Sequence, residues 1–245
     1  MVVRPTNTAL RNLARRAIVY LIVRGDARPA QRLAEHLFEK WREALGPDDP
    51  HTLQAATELA WAYRDLGELH RLRPLVEDTL TRQRAILGPD DPDTLRSASD
   101  LAVVLSAHGD YAGALSLNED TLTRRERILG PDHPDTLTTK NNLANILHSL
   151  GQYEEARQLE EAVITARQQV LGKLHPDTLS AIVNHAVTLW NLRQKLQARR
   201  LVEEGLHGFQ KTLGNQHPLT RWARSQRDQI KAAMGGRSSK GRRRR

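Results

Sequence analysis

The clearest pattern of apolar positions lies between residues 137 and 170, where apolar side chains recur every three or four residues in two stretches. The first stretch contains Leu137, Leu143, Ala144 and Leu147, and the second contains Tyr153, Ala156, Leu159, Val163, Ala166 and Val170. Such spacing places each set on one face of a helix. No stretch of the chain alternates apolar and polar residues with a period of two, so the pattern predicts helices and no strands.

The same pattern returns with a constant period of 42 residues. One series of glycines at this spacing follows a leucine in a proline-containing loop: Gly46, Gly88, Gly130, Gly172 and Gly214. A second series lies half a period away, at Gly25, Gly67, Gly109 and Gly151, with Arg193 in the fifth place. Self-similarity at this length predicts a solenoid, in which each repeat buries its apolar face against its neighbours.

Each repeat is predicted to contain helix A, a tight turn at the second glycine, helix B, and a loop of the type LGPDHP. In the third loop we expect Asp132 to be the N-cap of the next helix A, with Pro134 inside the first turn and Asp135 three residues after the cap. The predicted fold is all-α, a right-handed superhelical solenoid of about five antiparallel helix pairs. Its repeats are residues 5–46, 47–88, 89–130, 131–172 and 173–214, followed by a capping helix at 217–234. Three residues of that helix, Trp222, Ala223 and Ile230, are expected to face inward.

A helical repeat of this length could be a HEAT or armadillo repeat. The residues favour another family. Asn142 to Asn145, then Leu147, then Leu150 to Ala156 resemble the tetratricopeptide pattern, with its leucine, small residue, turn glycine, tyrosine and alanine in register. The added loop, LGPDHPDTL from Leu129, is similar to the longer variant found in kinesin light chains and many bacterial proteins. The resemblance implies a scaffold that binds other proteins.

In tetratricopeptide arrays the concave groove is lined by helix A residues that do not face the core. By this resemblance the peptide-binding groove would contain Gln54, Thr57, Trp61, Arg64, Arg96, Ser99, Thr138, Asn141, Asn145, His148 and Trp190. Asn141 and Asn145 could bond to the backbone of an extended peptide. Arg64 and Arg96 could bind carboxylates, and Trp61 and Trp190 could be apolar anchors. An ordinary solvated helix face remains the alternative.

The net charge of +8 is concentrated at the C-terminus. Residues 235–245 are predicted to be a disordered tail with the basic side chains Arg237, Lys240, Arg242, Arg243, Arg244 and Arg245. This tail could bind nucleic acid or an anionic surface weakly, or it could be a solvated end. The first repeat is also rich in arginine, and its helix A is predicted to have an apolar stripe through Leu10, Leu13, Ala17 and Leu21. We expect a capping repeat with a solvated outer face, although a membrane-surface helix or a docking site are alternatives.

The sequence contains little that predicts catalysis. Phosphate-binding loops, HExxH, GxSxG and Rossmann glycine patterns are absent, and so is cysteine. His133, His175 and His217 occupy the same loop position in successive repeats, too far apart to share a metal ion, and His185 replaces a core leucine. We therefore expect no catalytic residue, no cofactor and no metal. His185 is predicted to be a hydrogen-bonded core histidine.

The leading functional hypothesis is a non-catalytic, cytoplasmic interaction protein that binds an extended peptide or partner segment. One alternative is a regulatory module related to the repeat ends of signalling ATPases, because bacterial arrays of this type resemble such sensor ends. Another is weak association with nucleic acid through the basic tail. No apolar run approaches the roughly 20 residues needed to cross a bilayer, so no membrane span is expected. The partner and the oligomeric state do not follow from the sequence.

Overall fold

The computed structural model describes residues 8–235 and contains, within them, eleven helices and no strand. The helices are α1 (Thr8–Val23), α2 (Ala27–Leu45), α3 (Pro50–Leu66), α4 (Leu69–Ile86), α5 (Pro92–Ala107), α6 (Tyr111–Leu129), α7 (Pro134–Ser149), α8 (Tyr153–Val170), α9 (Pro176–Asn191), α10 (Lys195–Leu213) and α11 (Pro218–Gly235). The prediction of an all-α chain of five helix pairs followed by one more helix is confirmed.

The chain forms two compact units, Met1–Arg124 and Arg125–Arg245, and the boundary between them falls inside α6. In the N-terminal unit each helix from α1 to α5 packs on the next, and in the C-terminal unit α7 to α11 do the same. The N-terminal core is built around Leu59, Leu72 and Val76. The C-terminal core is built around Leu179 and Phe209. Each core lies between consecutive helices, as expected for stacked helix pairs.

The turn between the two helices of a repeat needs a left-handed backbone. Gly151 follows α7 with φ of 79°, and a side chain added there would meet no atom within 4 Å. Arg193 occupies the equivalent position after α9 with φ of 65°, and it is the single non-glycine residue with positive φ in the described part of the chain. The backbone therefore has the conformation that the glycine series predicts, even where the glycine is missing.

The N-cap prediction for α7 was wrong by one residue. His133, not Asp132, is the N-cap, and its Nδ1 accepts a hydrogen bond from the backbone N–H of Asp135 at 3.1 Å. His175 and His217 accept in the same way, at 3.2 Å each. In the first two loops the cap is an aspartate, Asp49 or Asp91. A neutral imidazole nitrogen has a lone pair and can replace the carboxylate oxygen as acceptor.

The apolar stripe predicted for the first helix A is mostly not part of the core. Leu10, Leu13 and Ala17 are exposed, and α1 packs instead through the buried Ile18 and the half-buried Leu21. The face of α1 that packs on the neighbouring helices is therefore not the face that the spacing of apolar residues predicted. The outer face of α1 is exposed to solvent and carries apolar side chains.

Replacing Arg193 by glycine should stabilise the C-terminal unit. The side chain of Arg193 is exposed, so its removal costs few contacts, while a non-glycine residue in the left-handed region costs about 1 kcal/mol. We expect the free energy of unfolding, measured by urea denaturation, to rise by about that amount. The matched change Gly151→Ala should lower it by a similar amount. Equal stability of the two variants and the wild type would contradict the assignment of strain to this turn.

The histidine caps should stabilise the helices that they begin. The variant His133→Ala with His175→Ala removes two acceptors of backbone N–H groups, and we expect it to lower the free energy of unfolding by about 1 kcal/mol per cap in urea denaturation. The matched control, His133→Asp with His175→Asp, keeps an acceptor at each position and should be at least as stable as the wild type. Equal stability of the alanine variant and the wild type would contradict the capping role.

Candidate functional site

In the N-terminal unit, polar side chains of α1, α3 and α5 bond to one another across the helix A surface. Arg15 Nη1 donates to Gln54 Oε1 at 2.7 Å, and Gln54 Nε2 donates to Asp93 Oδ2 at 3.1 Å. Arg96 pairs with the other oxygen of Asp93 at 3.2 Å, and its guanidinium carbon lies 5.2 Å from the ring centre of Trp61. The predicted groove residues of this unit are therefore partners of each other and of neighbouring acids.

Asp100 explains why this surface is closed to a carboxylate ligand. It accepts a hydrogen bond from Trp61 Nε1 at 3.1 Å and pairs with Arg64 Nη1 at 2.8 Å. Arg64 and Arg96, which the sequence offered for carboxylates of a partner, thus already bind acids of this chain. Thr57 and Ser99 are buried. The charged groups of this N-terminal surface are therefore paired within the protein.

Glu58 is an internal acid of the same surface. Its Oε1 lies 2.7 Å from Arg15 Nε, while its Oε2 is buried without a hydrogen-bond partner. Burial raises the pKa of the Glu58 carboxyl, and the charge of Arg15 only partly opposes this effect. Sequence reasoning missed Glu58, since it falls outside the groove positions taken from the family.

The helix A surface of the C-terminal unit is different, because its polar groups are uncharged amides and hydroxyls. Asn184 Nδ2 donates to Asn145 Oδ1 at 3.2 Å, which links α9 to α7. The amide nitrogen of Asn145 and the amide oxygen of Asn184 make no further hydrogen bond within the described part of the chain. Asn191 Nδ2 lies 3.0 Å from Nε2 of His148 in the same way. We call this set, Asn145, His148, Asn184 and Asn191, the amide surface.

A cavity of about 170 Å³ lies beside the amide surface. Its lining residues come from three first helices and one second helix: Asn145, His148, Glu160, Asn184, Val187, Thr188, Trp222 and Gln226. Trp222 was expected to face inward with Ala223 and Ile230. The latter two are buried, but Trp222 is half-buried and forms part of the cavity wall. The last helix therefore contributes an aromatic side chain to the surface as well as to the core.

Other predicted groove residues of this unit lie near the amide surface without entering the cavity wall. Thr138 is exposed, and its hydroxyl bonds to the carbonyl of Pro134 at 2.9 Å. Asn141 is half-buried. Trp190 packs against the C-terminal core, with Lys195 Nζ 5.5 Å from its ring centre, so it is not a free anchor.

The surroundings of His148 favour its neutral form. It is half-buried, its ring lies 5.1 Å from that of Tyr153, and burial lowers its pKa although the nearby Glu160 acts in the opposite direction. A neutral imidazole at this position keeps the amide surface without positive charge at neutral pH. The surface is thus suited to uncharged polar groups.

Glu160 is the one acid that lines this cavity, and it is only 2% exposed. Its two oxygens are used inside the protein, since His185 Nδ1 lies 3.0 Å from Oε2 and Thr188 donates to Oε1 at 2.8 Å. The prediction of a hydrogen-bonded core histidine at 185 is confirmed. The pair joins α8 to α9 below the amide surface.

The described residues hold no group of three or more acidic, histidine or cysteine side chains that could hold a metal ion. Within the same range no helix is long and apolar enough to cross a bilayer. The basic tail, from Arg237 to Arg245, lies outside the described residues, so its predicted disorder and its binding stay predictions.

Three overlapping segments of the chain, 64–127, 109–169 and 135–210, match the model of the tetratricopeptide repeat, and together they span more than half of the sequence. The chain belongs to the tetratricopeptide repeat family. No curated protein matches this tetratricopeptide array in sequence.

Solved structures give the type of repeat. A variant of a kinesin light chain-like repeat protein of Podosopora anserina, described as a putative kinesin light chain, is 27% identical with a TM-score of 0.60, and the match covers 82% of this array and 93% of that chain. BtubC from P. vanneervenii, also designated BKLC, is 19% identical with a TM-score of 0.60 over 86% and 92% of the two chains. PlcR of Bacillus thuringiensis, in complex with the peptide PapR7 and DNA, is 12% identical with a TM-score of 0.71 over 91% and 76%. The predicted resemblance to kinesin light chain-like repeats is confirmed.

A double-mutant cycle should show that Glu160 and His185 depend on each other. Two periods earlier the same positions are the apolar Val76 and Leu101. Glu160→Val or His185→Leu alone leaves a buried polar partner without its bond, and we expect each to lower the free energy of unfolding by about 3 kcal/mol. The double variant recreates the apolar pair and should lie within about 1 kcal/mol of the wild type. Additive losses in urea denaturation of the double variant would show that the two side chains act separately.

Proposed function

We propose that this protein is an interaction scaffold whose C-terminal unit binds an extended peptide on the surface formed by α7, α9 and α11. The observation that carries the proposal is the hydrogen-bonded pair of Asn145 and Asn184 beside the cavity. The pair has one amide nitrogen and one amide oxygen left for a ligand. A neighbouring donor and acceptor match the carbonyl and N–H of a peptide backbone.

The cavity supplies selectivity for one side chain of the peptide. Small-molecule pockets begin at about 300 Å³, so a volume of about 170 Å³ fits a single residue. Trp222 and Val187 provide apolar wall, and Glu160 is occupied by its internal partners. With His148 neutral, the cavity favours an apolar or uncharged polar side chain, because a charged one would lose its hydration without gaining an ion pair.

The N-terminal surface is a poorer candidate for the same role. Its arginines are paired with Asp93 and Asp100, so a ligand carboxylate would have to displace an internal acid. The amide surface has no such competition. That PlcR, with the same fold, is found with the peptide PapR7 supports peptide binding as a use of this fold, without indicating the sequence bound.

A phage-displayed library of 12-residue peptides, selected on the immobilised protein, would supply a ligand for the test. The variant Asn145→Ala with Asn184→Ala removes both backbone partners and should weaken the selected peptides at least tenfold, because each hydrogen bond contributes about 1 kcal/mol. Binding would be measured by fluorescence anisotropy. A control variant, Gln158→Ala with Gln169→Ala, deletes two exposed amides of α8 that lie away from the cavity, and its affinity should equal that of the wild type.

N-methylation of single backbone nitrogens in a selected peptide would test backbone recognition directly. At least one methyl group should abolish binding to the wild type, while its effect on the residual binding of the double alanine variant should be small. Selected peptides that bind the wild type and the double alanine variant equally would refute the amide surface as the site. A library that yields no enriched peptide would refute peptide binding itself.

A further inference from the structure

The outward face of α1 is an apolar surface that nothing in the described chain covers. Leu10, Leu13 and Tyr20 are 60%, 62% and 59% exposed, and Ala17 is exposed as well. Their spacing of three, four and three residues places all four on one side of the helix. The packed side of α1 carries Ile18 and Ile22 instead. We call the set Leu10, Leu13, Ala17 and Tyr20 the α1 stripe.

The equivalent positions in the later repeats are covered by other helices. One to four periods later the same positions are Thr52, Ala55, Leu59 and Ala62 in α3; Thr94, Ser97, Leu101 and Val104 in α5; Thr136, Thr139, Leu143 and Ile146 in α7; and Thr178, Ala181, His185 and Thr188 in α9. All are buried except the half-buried Leu101 and Leu143. In the first helix alone the column is open to solvent.

The covering element in these repeats is the preceding helix B. Helix α2 packs on α3, α4 on α5, and α8 on α9. The α8 contact reaches this column directly, since Glu160 bonds to both His185 and Thr188. The α1 stripe therefore has the shape and position of a surface built to receive a helix.

Charge indicates which kind of helix fits. Position 16 in α1 is equivalent to Glu58 in α3 and Asp100 in α5. Both acids bond to an arginine of the preceding helix A, Glu58 to Arg15 and Asp100 to Arg64. In α1 the position is Arg16, an exposed arginine for which the described chain offers no acid. Arg16 follows Leu13 by three residues and precedes Tyr20 by four, so it borders the α1 stripe, and a helix docked there would have to supply the carboxylate.

The other charges of α1 have the same sign, since the helix contains no acidic residue. Arg24, which follows α1, lies over the ring of Tyr20, with its guanidinium carbon 5.5 Å from the ring centre, and it pairs with Asp26 at 3.3 Å. A second copy of this chain fits poorly, because α1 would meet the same arginines and the outer face of α11 carries Arg221, Arg224 and Lys231.

We propose that the α1 stripe is a docking site for an acidic amphipathic helix of another protein or domain, which takes the place of a preceding helix B. The apolar face of that helix covers Leu10, Leu13 and Tyr20, and its flanking carboxylates meet Arg16. This site is in the N-terminal unit and uses none of the residues of the amide surface. The two proposals can therefore be tested independently of each other.

The probe is a fluorescein-labelled, side-chain-stapled 20-residue helix with a leucine and alanine face flanked by glutamates. A second peptide has lysine in place of every glutamate. Fluorescence anisotropy with the full chain should show binding of the acidic peptide, at least tenfold weaker binding to Leu13→Glu, and at least fivefold weaker binding to Arg16→Glu. Arg16→Glu should also improve binding of the lysine peptide. The control is Leu196→Glu on α10, where the replaced leucine is 81% exposed, and it should bind as the wild type does.

Five outcomes would overturn the proposal. The acidic peptide fails to bind, or the two peptides bind equally, so that charge plays no part. Leu196→Glu weakens binding as much as Leu13→Glu, which indicates general stickiness. Sedimentation velocity shows a dimer that Leu13→Glu abolishes, which makes a second copy the occupant. Vesicles with phosphatidylserine bind through Leu13 while the acidic peptide does not, which makes the stripe a membrane contact. Because Leu13 is exposed, circular dichroism of Leu13→Glu should match that of the wild type and exclude unfolding as the cause.

Discussion

The structure depends on the contact between the second helix of one repeat and the first helix of the next. A pair of helices of this length has too small an interior to be stable alone, and most of its apolar surface is buried only when the neighbouring repeat is added. The columns that face the preceding helix consist of alanine, threonine and leucine. The short side chains of alanine and threonine let the helices approach closely. The positions of all other side chains, including those on the binding surfaces, follow from this contact.

The two units carry different kinds of polar side chain on the same face of their first helices. In the N-terminal unit the positions that point away from the core form a network of arginines, acids and Trp61, which fixes α1, α3 and α5 to one another. In the C-terminal unit the matching positions contain amides and a neutral imidazole, which bond in pairs and keep capacity for a ligand. The same helix face therefore carries a network of ion pairs in one unit and, in our proposal, a peptide-binding surface in the other.

The sequence was sufficient to predict the helix pairs, the turns and the family, because these follow from the spacing of leucine, alanine, glycine and proline. Two residues that the resemblance assigned to the peptide groove, Asn145 and His148, line the cavity, and their role in binding stays a prediction. The positions of the tryptophan side chains were harder to predict, since Trp190 packs against the core whereas Trp222 forms part of the cavity wall. Nothing in the local sequence separates these two cases.

Some missed residues were within reach of the repeat. Trp222 is two periods beyond Thr138, which the resemblance placed in the groove, so the repeat could have identified it. Asn184 and Gln226 belong to the column of Glu58 and Asp100, which the groove pattern leaves out. The column of Asp49 and Asp91 likewise includes His133, which would have identified the cap. The ion pairs Arg15–Glu58 and Arg64–Asp100 could not be predicted in this way, because they join residues 43 and 36 positions apart whose contact depends on side-chain conformation.

The buried pair of Glu160 and His185 has a consequence for how an array of near-identical repeats finds its order. Repeats that resemble one another can exchange partners during folding, and an apolar contact between leucine and valine does little to prevent this. If α8 packed on the wrong first helix, Glu160 would be buried against Leu101 or Leu143 without a hydrogen-bond donor. An unpaired buried carboxylate would destabilise that arrangement, so the pair of Glu160 and His185 favours the packing of α8 on α9.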